Sequence, residues 1–330
     1  MSDIFDALPG VEVPVAGIAK GLTLMWEDNV ANGRPAPEAA DAKAMQVNFV
    51  LHLGLNTTPE DAAKQFETVV KFARRYPSRI VVLCPRYTDD SGPAMRAKIF
   101  GECYLGRSKT DKRCVEFVIL SYARSARPYL ENQVSTALST DLPLYYWAHR
   151  FSDSGRLADY RYLLTRAKRV LIDSAISPPG ALSYPWPNPE TTRDLAYCRL
   201  LPIRQSVGQF LAAYPPEKIV TGLRSVTLTH DETLAAEARV LLAWLKRRLK
   251  ACGAKTDTLE FAVKPRAADA TASLGITFDY GAPHPFFRWQ GDLATGHALF
   301  EADFGAGSTQ LSAGVSLLSP EMTLSEAMFF

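Results

Sequence analysis

The strongest constraint on the fold is the run from Val47 to Pro85. There a continuous apolar stretch, "VNFVLHLGL", is followed by an amphipathic one and then by a second apolar stretch, "RIVVLCP". In the middle segment, "NTTPEDAAKQFETVVKFARRYPSR", Thr58 suits a helix N-cap and Pro59 the first helical position. Glu60 and Asp61 complement the positive end of the helix dipole. Ala62, Phe66, Val69, Val70 and Ala73 then fall on one helical face, Arg74 and Arg75 close the last turn, and Pro77 stops it. Strand, helix and strand at this spacing predict a βαβ unit.

The pattern continues. "AMRAKIFGECYL" and "KRCVEFVILSY" read as a strand pair forming a hairpin. "RPYLENQVSTALSTD" is helical, "LPLYYWA" a strand, "RLADYRYLLTRA" helical and "RVLIDS" a strand. The prediction is an α/β fold with a layered, mostly parallel sheet, flanking helices and an antiparallel insertion. The five-proline segment "SPPGALSYPWPNPE" reads as a linker. Beyond it, "TTRDLAYCRLLPIRQSVGQFLAAYP" is a helix that Pro202 should break, and "HDETLAAEARVLLAWLKRRLKACG" is a clear amphipathic helix. "TLEFAVKP", "SLGITFDYG", "FFRWQG", "HALFEADFG" and "GVSLL" predict a closing antiparallel sheet. The expected organisation is a flexible N-terminal arm over 1–45, an α/β domain over 46–180 and an α+β domain over 181–330. Within the arm, "GIAKGLTLMWEDN" is a short amphipathic piece with Leu22, Leu24 and Trp26 as anchors.

With 37 basic and 35 acidic residues the net charge is +2, too even for a nucleic-acid or anionic-membrane surface. "KRRLK" at a helix end suits the negative end of a helix dipole. The N-terminus has no basic segment of the secretory kind, and no apolar run approaches a membrane span. The five cysteines are scattered and lack a C-x-x-C pair, so they read as reduced thiols of a cytoplasmic protein. Cofactor and metal motifs are not found. The turn after the first strand, "NTTPE", lacks the glycines of a dinucleotide site, and "GAGST" has no following lysine.

Open α/β sheets bind ligands outside the carboxyl ends of their strands. "DLPLYYWAHR" places Trp147, His149 and Arg150 there, with Asp153 or Asp173 as a carboxylate to orient His149. An enzyme acting on a sugar phosphate or nucleotide would draw on Arg79, Arg86, His149 and Asp173. No catalytic motif accompanies them.

Five segments, in order, resemble a known family. "ARRYPSRIVVL", "STDLPLYYWAH", "AKRVLIDSA", "RDLAYCRLLPIRQSVGQFL" and "LLAWLKRRL" are similar to elements of the OpcA-type proteins, which assist glucose-6-phosphate dehydrogenase. The likeness runs from about residue 46 to 253. The chain departs from the family at Tyr197, Ile203 and Ala148, where tryptophans are frequent. The resemblance implies a non-enzymatic cytosolic protein that binds the dehydrogenase and promotes its assembly or allosteric activation in the oxidative pentose phosphate pathway. Partner-binding candidates are Arg74, Arg79, Trp147, His149, Arg199 and Arg204, because arginine and aromatic residues dominate interface energetics. A redox-controlled regulator, switching through two of the cysteines, is a further reading.

Overall fold

The computed structural model describes residues 4–37, 45–86, 94–105, 112–138, 141–151, 157, 159–178 and 180–330. The chain divides into two compact units, Met1–Leu195 with Pro320–Phe330, and Ala196–Ser319.

The first unit runs α1 (Ile4–Ala7), β1 (Val11–Val13), α2 (Ile18–Ala31), β2 (Val47–Leu53), α3 (Pro59–Arg75), β3 (Ser78–Pro85), β4 (Met95–Leu105), β5 (Lys112–Tyr122), α4 (Arg127–Ala137), β6 (Leu144–His149), α5 (Arg161–Arg166), β7 (Arg169–Ile172) and β8 (Thr192–Asp194). Its eight strands lie in the order β1-β4-β5-β3-β2-β6-β7-β8. From β5 to β8 every neighbouring pair is parallel, whereas β4 is antiparallel to both β5 and β1. This is the expected α/β sheet with its antiparallel insertion.

The helix after β2 begins and ends where the sequence places it. Thr58 caps it, its side chain accepting from the Asp61 amide at 3.2 Å, and Pro59 opens the first turn. One sheet face carries Phe49 against Phe72 of α3, while Tyr145 meets Phe329 of the C-terminal helix. The opposite face carries Val50, Val81, Leu83, Val118, Tyr146 and Val170, packed with Leu130 and Val134 of α4 and Leu163 and Leu164 of α5.

The boundaries differ from the expected ones in two places. Of the expected arm, the described residues 4–37 are not free, because β1 pairs with β4 and Phe5, Leu8, Ile18 and Trp26 are buried. Of the expected anchors only Trp26 is buried, and Leu24 is 52% exposed. The low-propensity Ala/Pro/Gly composition signals mobility, but the strand edge supplied by β4 overrides it. Nor is the proline-rich stretch a division between units. Trp186 is buried there, donating its indole N–H to the Ala181 carbonyl at 3.1 Å, and the division falls after Leu195.

The second unit begins within α6 (Leu195–Arg199) and contains α7 (Leu201–Leu211), α8 (Pro216–Val220), β9 (Ser225–His230), α9 (Ala235–Ala251), β10 (Glu260–Pro265), β11 (Leu274–Asp279), β12 (Phe286–Asp292), β13 (His297–Asp303) and β14 (Thr309–Gly314). The helix breaks at Leu200, with Pro202 in the first turn of α7. The sheet order is β10-β9-β11-β12-β13-β14, with β9 and β10 parallel across α9 and every other pair antiparallel. The last strand is Thr309–Gly314, so most of "GVSLL" lies beyond it. The chain closes with α10 (Pro320–Phe329), which belongs to the first unit.

Two of the five cysteines are not free thiols. Cys103 and Cys114 face each other across β4 and β5, disulfide-bonded with a Cα–Cα distance of 4.0 Å. The expectation of five reduced thiols overlooked that the hairpin register makes these two direct cross-strand neighbours. No helix among the described residues is long and apolar enough to cross a membrane.

Candidate functional site at the strand ends

The sheet order reverses between β2 and β6, since the chain passes from β2 to β3 on one side while β6 flanks β2 on the other. In open α/β sheets such a switch point is the ligand crevice. Here it is filled by the protein's own groups. The Gly54 amide donates to the His149 carbonyl at 2.6 Å, continuing the β2–β6 contact past the strand ends. A Cβ on Gly54 would lie 2.1 Å from the Arg150 carbonyl oxygen, so only glycine permits this approach. Arg150 itself has a φ of 49°, in the left-handed region uncommon for a non-glycine residue.

Asp61, in the first turn of α3, closes the crevice. His149 Nε2 donates to Asp61 Oδ2 at 2.7 Å, and Arg150 Nε donates to the same oxygen at 2.6 Å. Gln65 Nε2 donates to Asp61 Oδ1 at 2.9 Å. Burial alone would raise the Asp61 pKa. The bonds from His149, Gln65 and Arg150 outweigh burial and hold the carboxyl below the usual carboxylate range. An anion such as a pyrophosphate would meet this ionised carboxylate at the helix N-terminus where it would otherwise be bound.

The expected partner of His149 was Asp153 or Asp173. Asp153 lies outside the described residues. Asp173 instead organises its own turn, its Oδ1 accepting from the Ala175 amide at 3.1 Å. The carboxylate that orients His149 comes from 88 positions earlier in the chain, a contact that no local signal reveals.

His149 and Asp61 resemble a base with its orienting acid, with the imidazole buried and the Asp61 side chain 15% exposed. His149 is 2% exposed and stacks edge-on against Trp147, itself 4% exposed, with ring centroids 5.4 Å apart. His149 Nδ1, the nitrogen a substrate would need, is buried and bonds no protein group, as is Trp147 Nε1. Their burial removes both residues as direct partner contacts.

Arg79 lies away from this crevice. It pairs with Asn48, which pairs with Leu144, five residues before His149 along β6. At the strand rise this is roughly 16 Å towards the amino ends. The constellation of Arg79 with His149 and Asp173 therefore does not converge. Arg79 Nη2 instead donates to Glu116 Oε2 at 3.1 Å, and Trp26 Nε1 donates to Glu116 Oε1 at 2.9 Å. The three line a cavity of about 860 Å³ against α2.

The remaining arginines are separate again. Arg74 is exposed, its guanidinium carbon 4.4 Å from the Tyr104 ring centre. Arg199 donates to Glu237 Oε1 at 2.6 Å. Arg204 donates to the Tyr197 hydroxyl at 2.7 Å and lies 3.7 Å over that ring. Arg86 follows β3, its amide donating to the Tyr122 carbonyl at 2.9 Å.

One polar cluster has no counterpart in the sequence expectations. His52, wholly buried in β2, bonds the Tyr146 hydroxyl through Nδ1 and the Tyr122 hydroxyl through Nε2, the latter at 2.9 Å. Tyr122 in turn bonds the Tyr160 hydroxyl at 2.8 Å. A neutral imidazole satisfies such a chain by donating at one nitrogen and accepting at the other. The one available signal was a histidine inside an otherwise apolar strand. Among the described residues, no group of three or more His, Cys, Asp or Glu side chains is placed to hold a metal ion.

Comparison with protein-family models and with curated proteins finds no match. Among solved structures, the dipicolinate-bound dihydrodipicolinate reductase from Paenisporosarcina sp. TG-14 is similar over 86% of this chain and 93% of that chain. The identity is 10% and the TM-score 0.39, a likeness that bears on neither activity nor ligand.

Proposed function

We propose that this protein is a non-enzymatic cytoplasmic partner of glucose-6-phosphate dehydrogenase that promotes its assembly or allosteric activation. The reading rests on the five ordered segments that resemble OpcA-type proteins. The observation that carries it furthest is the closed switch point. The crevice where a sheet of this kind would bind a substrate is occupied by Asp61, His149 and Arg150. A partner protein needs a stable scaffold and a surface, not an open strand-end site. Of the six interface candidates, Arg74 is exposed and stacked on Tyr104, so it is the natural first probe of the contact.

Such a partner acts only through differential affinity, binding one state of the dehydrogenase more tightly than another. Titrating the purified protein into the dehydrogenase of the same organism, at fixed substrate, is expected to change the rate or KM saturably. Arg74→Glu is expected to shift the midpoint to higher protein concentration. A flat titration would count against activation, and equal affinity for the active and inactive enzyme would count against the mechanism.

A further inference from the structure

Within Ala196–Ser319, a cavity of about 650 Å³ opens among α7, α8 and α9, with Phe278 of β11 in its lining. Leu211, Ile219, Trp244 and Leu249 supply much of its wall. Among the described residues its charged lining side chains are Arg204 and Arg248, with no carboxylate. The volume is in the range of small-molecule sites, which combine an apolar wall with a few placed polar groups.

Gly208 is the informative residue. It lies inside α7 on the cavity wall, and a Cβ built there meets no atom within 4 Å. Glycine inside a helix costs roughly 0.5–1 kcal/mol relative to alanine. Here no neighbouring atom crowds the position, so packing does not demand glycine. Its effect is to leave the wall open to a close approach. Arg204 is already held by Tyr197, through the stacked ring and the hydroxyl, so its guanidinium loses little freedom on binding an anion.

We propose that this cavity binds a small amphipathic anion, with an aromatic or aliphatic body against Gly208 and Trp244 and an acid group at Arg248 and Arg204. The site shares Arg204 with the interface candidates but does not need the partner, and it stands or falls by direct binding.

The probe is 1-anilinonaphthalene-8-sulfonate, titrated by fluorescence into the full-length protein, with decanoate and inorganic phosphate as competitors. Saturable binding is expected, displaced by decanoate and not by phosphate. Gly208→Leu fills the open wall and improves helix propensity. It is expected to abolish most of the signal while the thermal midpoint stays at or above that of the wild type. Arg248→Glu is expected to weaken decanoate about tenfold, the loss of one charge-assisted contact. Cys252, a half-exposed free thiol on the cavity wall, gives a local readout. Decanoate should slow its alkylation in the wild type and not in Gly208→Leu. Wild-type affinity in both variants would overturn the proposal. So would Cys252 alkylation indifferent to decanoate, or phosphate competing as well as decanoate does.

Discussion

His52 and Asp61 are held in opposite charge states by their surroundings, and they separate on a pH axis. Burial first, and then the charge of Arg127, lowers the His52 pKa to about 3. An unfolded histidine takes its proton near pH 6.5, so between about pH 6.5 and 3 the unfolded chain binds more protons and stability falls on acidification. The slope well inside that window is about 1.4 kcal/mol per pH unit. Asp61 is held below its ordinary range, so its contribution is present above about pH 4 and is lost only below it. Asp61 does not contribute to the slope between neutral pH and about pH 5, so the difference between denaturant titrations of the wild type and a His52 variant over that interval reads the His52 share. His52→Phe leaves the Tyr122 and Tyr146 hydroxyls short of a partner and is expected to cost about 1–3 kcal/mol at neutral pH. The same variant should lose most of the wild-type slope over that interval. An unchanged slope would assign the acid sensitivity to another group.

At the level of elements, the β4–β5 hairpin is tied by the Cys103–Cys114 disulfide, which closes a loop with a sequence separation of 11. Loop-closure entropy for so short a ring amounts to about 3 kcal/mol. Reduction, or Cys103→Ser with Cys114→Ser, is accordingly expected to lower the thermal midpoint of the first unit. Non-reducing peptide mapping should recover this pair and leave Cys84, Cys198 and Cys252 alkylatable after unfolding; five alkylatable thiols would contradict it. The start and last turn of α3 were readable, because its cap, its first-turn acids and its apolar stripe are all local. The α2 segment was readable as amphipathic, but not as part of the fold. Its Trp26 is fixed by Glu116, 90 positions away, which in turn holds Arg79. The switch-point closure was hidden for the same reason. Gly54, Asp61 and His149 meet only once β2 and β6 are neighbours in the sheet. Trp147 and His149 lie at the strand end, as their sequence suggests, but nothing local revealed that Asp61 of α3 would bond His149 there.

For the whole molecule, the division after Leu195 and the return of α10 to the first unit make stability depend on the C-terminus. Leu324 and Met328 are each 1% exposed, and Phe329 packs against Phe72, Tyr76 and Tyr145. Truncation after Ser319 removes about 3–6 kcal/mol from burial of Leu324 and Met328 alone. Calorimetry of the truncated protein is expected to show a large loss of stability in the first unit. A melting profile unchanged by the truncation would mean that α10 does not contribute to that core. The most direct test of the partner reading is sedimentation velocity of the protein mixed with glucose-6-phosphate dehydrogenase from the same organism. A faster boundary containing both proteins, saturating with added partner, is the predicted result. Two independent boundaries at every ratio, under conditions where the enzyme is active, would contradict it.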